Sequence, residues 1–355
     1  MREPIQNRYD FVILFDVENG NPNGDPDAGN MPRVDPETGN GIITDVCLKR
    51  KIRNYVQDVK EDESGWRIYI KDQVPLNRSD LEAGEALGIG EELAEIQKGK
   101  DAKKIVTKLR SNDPDIDLKL RDFMCSEFFD IRTFGAVMTT FVKGALNCGQ
   151  VRGPVQITFG KSLDPVLPLD ISITRMAAAD AIKDGKVEDY LKQEAETAED
   201  KLRTMGRKQL IPFGLYEVRG FISANLAAET GFDDDDLKTL FESILNMYEH
   251  DHSASKGEMS VVSPLIIFKH VGTDSNEEQR TRQAKLGCAP AHKLFELVHV
   301  QKKPDVEFAR DYRDYDAEVD VTRVPSGVKI GFQSNPYGPI CWGVLPEGED
   351  WFHLG

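Results

Sequence analysis

The sequence is poor in everything that would staple it, anchor it or arm it for common chemistry. Its five cysteines, Cys47, Cys125, Cys148, Cys288 and Cys341, are far apart, odd in number and never form a Cys-x-x-Cys pair. That argues against a disulfide framework and a zinc ribbon, and a reducing cytosol fits best. No run approaches the roughly 20 apolar residues that a membrane helix requires, and Met1 to Asp10 holds no apolar core of signal-peptide length. The expectation is a soluble, cytoplasmic chain with no membrane partner. A phosphate-binding P-loop, His-Glu-x-x-His and Gly-x-Ser-x-Gly are all missing, so the common enzyme signatures are excluded and no cofactor is implied.

What is present is enough to build a large core. The chain has 355 residues, 39% of them hydrophobic, which exceeds the usual size of one compact domain. A net charge of -16 argues at first against a nucleic-acid partner, because phosphate binding depends on Lys and Arg displacing condensed counterions. A local basic stripe can nevertheless steer a polyanion while an acidic remainder keeps an assembly soluble.

Phe11 to Val17 is a continuous apolar run of strand length and reads as a buried central strand. Glu18 to Gly41 is rich in Gly, Pro, Asn and Asp, which predicts a long ordered loop. Thr44 and Asp45 can cap a helix to about Lys60, with Leu48, Ile52, Val56 and Val59 on its buried face. Trp66 to Ile70 reads as a second strand. Pro75 to Asp130 turns to Glu, Lys, Ala and Leu with helical periodicity, the signature of a helical insertion. Ile131 to Val142 and Val155 to Phe159 are strand-like. A polar excursion from Asp170 to Pro212, with a helix near Val187 to Leu202, should project from the body before Tyr216 to Leu226 returns to strand character. Asp233 to Asp236 suit the start of a helix whose apolar stripe is Leu237, Leu240, Phe241, Ile244, Leu245 and Tyr248. Val261 to Val271 adds a strand, and short strands and turns follow Pro304. This order predicts an α+β fold, a split βαβ sheet of the ferredoxin or RNA-recognition kind enlarged by two inserts in one elaborated domain.

Two basic clusters stand out. On the capped helix, Lys49, Arg53 and Lys60 project from one side, flanked by Arg50, and Lys51 completes four cations in five residues. A solvated helix face is the plain alternative to phosphate contact. The second cluster is Lys201, Arg203, Arg207 and Lys208 on the returning limb of the excursion, with Arg175 on the outgoing limb; an arm lying across nucleic acid competes here with mere solubility. Asn19, Asn21, Asn23, Gly24 and Asp25 partly mimic an EF-hand loop, but the twelfth position is Asn30 and no helix precedes it, so the loop suits backbone contacts to phosphate better than calcium. Asp16, Glu18, Asp25, Asp27, His250 and His252 supply the types a metal-dependent ribonuclease would use, without a motif to order them. Val218-Arg219-Gly220-Phe221 begins an RNA-recognition strand motif that Ile222 and Ser223 break.

Several segments taken in order, Asn21-Pro22-Asn23-Gly24-Asp25-Pro26, Pro32-Arg33-Val34-Asp35, Thr44 to Arg53, Asp130 to Met138, Gly153-Pro154-Val155-Gln156 and Met205-Gly206-Arg207-Lys208, resemble the repeated backbone subunit of the CRISPR type I-C Cascade complex. The resemblance implies a hand-shaped protein: a palm at 1–71, 131–171 and, with the C-terminal region, 213–355, helical fingers at 72–130, and a thumb at 172–212. It implies copies stacked in a filament on guide RNA, contact with target DNA through the guide, further Cascade subunits as partners, and no catalysis. Related type III subunits cleave RNA through a loop Asp, so ribonuclease activity is the alternative. Carried onto this chain, the guide-contacting residues would be Asn21, Asn23, Lys49, Arg50, Arg53, Arg132, Gly153, Pro154, Gln156, Arg175, Arg207 and Lys208. Arg132 has a structural ion pair as its rival role.

Overall fold

The computed structural model describes residues 2–98, 102–138, 150–177, 182, 185–197 and 203–355. Strand β1 (Tyr9–Gly20) leads into the short β2 (Gly24–Asp25) and β3 (Met31–Pro32), then β4 (Asn40–Ile43) and helix α1 (Asp45–Lys60). The insert follows as α2 (Leu76–Ala86), α3 (Gly90–Gln97), α4 (Ala102–Asn112) and α5 (Ile116–Glu127), closed by α6 (Phe129–Phe134). Next come β5 (Gly135–Val137), β6 (Gln150–Arg152), β7 (Val155–Ile157), β8 (Gly160–Pro165) and the outgoing limb of the arm, β9 (Leu169–Arg175). Helix α7 (Val187–Glu196) belongs to the arm, and β10 (Thr204–Ile222) returns from it. The rest comprises α8 (Ala224–Thr230), α9 (Asp234–Asn246), β11 (Glu258–Val261), β12 (Leu265–His270), α10 (Glu277–Leu286), α11 (Ala291–Phe295), β13 (Val298–Lys302), β14 (Tyr315–Val319), β15 (Val328–Gln333), β16 (Cys341–Trp342) and β17 (Phe352–Leu354).

The main sheet runs β16-β15-β12-β1-β10-β8-β4, with β1 central and antiparallel to both β10 and β12. β1 is apolar at nearly every position because both of its faces are covered. Phe11, Ile13, Phe15 and Val17 join Leu48, Ile52 and Val56 of α1 and Leu240, Phe241 and Ile244 of α9 in one core. Val12 and Leu14 point the other way, into a core shared with Leu294, Phe295, Val319 and Phe352 of the C-terminal unit. There β13, β14 and β17 form a second small sheet, with β17 parallel to β14. Gly220 is fixed by this packing, since a Cβ there would stand 1.9 Å from the Phe11 ring. The insert has its own core, built on Leu93, Val106, Leu109, Leu120, Met124 and Phe128.

The mixed helix-and-sheet fold stands, with several local revisions. Trp66 to Ile70 is not a strand; it makes one isolated bridge, Arg67 to Phe128, and its Tyr69 and Ile70 amides donate to the Asp130 carboxylate. Ile68 joins the sheet core and Tyr69 the insert core, which explains its strand-like apolarity. Ile131 to Phe134 is helical and ends at Gly135, whose φ of 79° suits glycine; Thr139–Val142 lie outside the described residues. Val261 to Val271 is two strands parted at Pro264, which has no amide hydrogen to donate, while the preceding Ser263 accepts from the Leu14 amide. β10 stops at Ile222 because Ser223 caps α8 through the Leu226 amide. α7 ends at Glu196, and Val59 of α1 is 48% exposed instead of buried. No helix among the described residues is long and apolar enough to cross a membrane.

Candidate nucleic-acid interface

Helix α1 starts as its sequence predicts, with Thr44 Oγ1 accepting from the Cys47 amide. Its cations, however, are not an open ridge. Lys49 Nζ lies 3.0 Å from Asp45 and 3.5 Å from Gln156 Oε1, and 5.6 Å from the centroid of the Phe134 ring. Arg53 is buried, donating from Nε to Asp130 at 2.8 Å with its guanidinium 5.3 Å from the same ring. Arg50 donates to the Ile70 carbonyl at 2.6 Å, and Lys60 sits over Trp66. The side expected to meet solvent is therefore packed against α6 and the Trp66–Ile70 segment. The Arg53 side chain is only 11% exposed, with Nε committed to Asp130.

Arg132 is the clearest correction. It is 0% exposed. Its Nε and Nη2 each donate to Asp236 at 2.7 Å, Nη1 donates to the carbonyls of Cys125 and Ser126, and Nη2 also donates to that of Gly65. All five guanidinium hydrogens are used, so Arg132 ties α6 to α9 and does not face a guide. Burial pushes the Asp236 carboxyl up, and Arg132 opposes that shift.

The loop asparagines also serve the fold. Asn23 Oδ1 accepts from the amide and the hydroxyl of Thr44, at 3.0 Å each, and so braces the start of α1. Asn21 is buried; its amide donates to the Ser255 carbonyl and its Nδ2 to that of Asn30. Asp25 Oδ1 accepts from the Asp27 amide and pairs with Arg33, so the oxygens an EF-hand would offer are already engaged. Among the described residues no group of three or more His, Cys, Asp or Glu side chains is placed to hold a metal ion. Asp16 does stand in an acidic neighbourhood: burial pushes its carboxyl up to about 7, with Glu18, Asp311 and Glu258 adding to the rise. Gly153 and Pro154 are buried, Gly153 so tightly that a Cβ would strike the Phe134 carbonyl carbon at 2.2 Å. Gln156 is exposed and is the residue of that segment brought beside Lys49.

The arm behaves differently. β9 pairs with β10 from Leu169–Leu210 out to Arg175–Thr204, a two-stranded ribbon. Arg207 is paired with Asp170 at 2.9 Å, yet its side chain remains 75% exposed. Arg175 bonds the Ala177 carbonyl and Thr204 at the outer end, and Arg203 is exposed there. Lys208 neighbours Arg207 and so lies on the opposite face of the ribbon. Lys201 falls outside the described residues. In the Arg-Gly-Phe element, Arg219 is exposed and sits 5.1 Å from the Phe295 ring centroid, and Phe221 packs edge-on to that ring.

Fourteen residues of β10, roughly 45 Å of strand, separate Arg207 from Phe221, the partner of Gln156. Lys49 and Arg207 thus belong to different parts of the molecule, and spacing in the sequence did not reveal what lies between them. Gly20, at the end of β1, pairs with Ile211 near the root of the arm, and it packs against the Lys256 carbonyl. Lys256 and Lys51 both contact the Asp251 carboxylate. Arg33 is close enough to join these lysines in opposing the burial-driven rise in the Cys47 thiol pKa. Arg33, Lys51 and Lys256 are contributed by three separate segments, which is why no local pattern exposes them.

The family model described as CRISPR-associated protein Cas7 matches residues 7–321. A CRISPR-associated protein Cas7 of Haloferax volcanii is 48% identical over 65 residues, so the match spans 18% of this chain and 18% of that relative. A solved chain of a CRISPR RNA-guided surveillance complex in its pre-nicking form is similar at 13% identity and a TM-score of 0.43, over 80% of this chain and 84% of that one. Another chain of a CRISPR RNA-guided surveillance complex is similar at 12% identity and a TM-score of 0.39, over 97% and 96%. With the family model running from before β1 to beyond β14, the chain belongs to the CRISPR-associated Cas7 family.

Proposed function

We propose that this chain is a non-catalytic backbone subunit of an RNA-guided CRISPR surveillance complex, of type I-C by its sequence motifs. Copies assemble along the guide RNA and present it for pairing with target DNA. In this reading the main sheet and C-terminal unit are the palm, the α2–α5 insert the fingers, and the β9–β10 arm with α7 the thumb. The observation that carries the proposal is membership of the Cas7 family across residues 7–321. The projecting ribbon supports it, because it offers exposed Arg175, Arg203 and Arg207 on a chain whose net charge is -16. Contacts to RNA are made through phosphates, since a subunit that accepts any guide cannot read bases; pairing reads the target. Lys49, Arg50, Gln156, Arg175, Arg207 and Lys208 remain as contact residues, whereas Asn21, Asn23, Gly153 and Pro154 shape the backbone beside them.

Co-expression with the other subunits of the complex and a CRISPR array, followed by purification, nucleic-acid extraction and sequencing, tests this directly. Recovery of repeat-flanked guide RNA is expected. A complex that purifies intact without RNA would overturn the proposal.

A further inference from the structure

The geometry points to the cavity between the root of the arm and the C-terminal unit as a docking site for an extended, basic segment of a partner protein, anchored there by an apolar side chain. The inference goes beyond the RNA-binding reading and does not rest on it, since the surface concerned is acidic.

The cavity measures about 630 Å³, room enough for one or two large side chains. Val166 and Leu167 before β9, Pro212 to Leu215 of β10, and Phe308 to Arg310 of the C-terminal unit contribute its walls. Phe213 and Leu215 belong to the core beneath it, whereas Leu167 is 68% and Phe308 71% exposed at its rim. Large apolar side chains left open around an apolar cavity mark an interaction surface. The cavity itself selects no charge: Lys302 lies 3.8 Å from Asp164, and Arg310 is matched by Glu307.

The sheet beside it does select one. Glu18 of β1 stands opposite Phe213 and Asp16 opposite Leu215, and on the other side of β1 Glu258 stands opposite Glu18. Directly opposed residues of antiparallel strands share a face, so Glu258, Glu18 and Phe213 form one row across three strands, about 5 Å apart. Two glutamates opposed in this way repel each other. Buried Asp16 lies two positions along β1 on the same face. Burial raises the Glu18 carboxyl pKa, and Glu258 and Asp311 add to the rise. Among the described residues no Lys or Arg is paired with Asp16, Glu18 or Glu258; nearby Lys256 is taken by Asp251, and Arg313 lies 3.6 Å from Asp311.

Charge and spacing together choose the occupant. The row repels nucleic acid and acidic peptides, and a basic segment relieves the repulsion between the glutamates. Alternate side chains of an extended segment point the same way at about 6.6 Å spacing. An apolar residue seated against Phe213 therefore brings Lys or Arg, two and four positions along, within reach of Glu18 and Glu258.

The test is fluorescence anisotropy of the purified full-length chain with the fluorescein-labelled peptide Lys-Ser-Lys-Ser-Leu-Ser-Phe. Two control peptides replace both lysines by Glu or both apolar residues by Ser. The first peptide is expected to bind about tenfold tighter than either control. Glu18→Gln combined with Glu258→Gln is expected to weaken it about tenfold while raising thermal stability, and Phe308→Ser to weaken it several-fold with stability unchanged. Failure of the first peptide to bind, or equal binding of the peptide without apolar residues, overturns the site. Wild-type peptide affinity in the double glutamine variant overturns it too, because the gain in stability then reflects relieved repulsion alone. Sedimentation velocity separates a partner protein from a second copy: self-association of the wild-type chain that Phe308→Ser abolishes assigns the cavity to a copy and overturns the inference. RNA binding is expected to persist in both variants, so failure of the docking site leaves the RNA-binding reading standing, and the reverse holds as well.

Discussion

Helix α1 and the β9–β10 ribbon carry cations at similar density, and the fold treats them in opposite ways. α1 lies between the sheet, α6 and α9, so its basic side chains find carboxylates, carbonyls and rings within reach: Asp45, Asp130, Asp251, the Ile70 carbonyl and Phe134. The described residues of β9 beyond Leu169 are all exposed, and the exposure of Arg207 survives its pairing with Asp170. Basic residues inside a layered body act mainly as ties between elements. On a projecting ribbon they remain free to meet a mobile anion.

Substitution separates these roles, and Arg132→Ala is expected to have the largest effect. It leaves the buried Asp236 with only Arg2 and the Asp233 amide as donors and strands the carbonyls of Gly65, Cys125 and Ser126, at a cost of about 3 kcal/mol measured by denaturant unfolding. Arg53→Ala should cost about 2–3 kcal/mol in the same measurement, because Asp130 keeps the Tyr69 and Ile70 amides as donors. A loss under 1 kcal/mol for either would break the contrast between the regions.

Asp16→Asn sharpens it from the acidic side. The Asp16 carboxyl titrates near 7 in the folded chain against an ordinary 3.8, so the folded state holds the proton more tightly. Its favourable contribution is present below about pH 4 and is lost as the pH rises through 7. The asparagine variant is therefore expected to gain on the order of 2 kcal/mol at pH 8 and little at pH 4, measured by denaturant unfolding at both pH values. The smallest effect on stability is expected on the ribbon: Arg207→Ala with Lys208→Ala should change it by less than about 0.5 kcal/mol, yet weaken RNA binding roughly tenfold.

The parts legible in the sequence were those set by neighbours along the chain. Thr44 announced α1, Asp233 with Asp236 announced α9, and the unbroken run in β1 announced a strand covered on both faces. The fate of single arginines was not legible. Asp130 lies 77 residues from Arg53 and Asp236 lies 104 from Arg132, so helix periodicity could say which side each cation took but not what waited there. Trp66–Ile70 misled because burial against two cores produces strand-like apolarity without a ladder.

The central claim is that this chain holds guide RNA, with the β9–β10 ribbon and the start of α1 among the contacts. Ultraviolet cross-linking of the RNA-loaded complex, followed by peptide mass spectrometry, tests it most directly. Cross-linked peptides are expected from 203–211 and 44–53. Cross-links confined to the C-terminal sheet at 298–355, with those two segments unmodified, would contradict it.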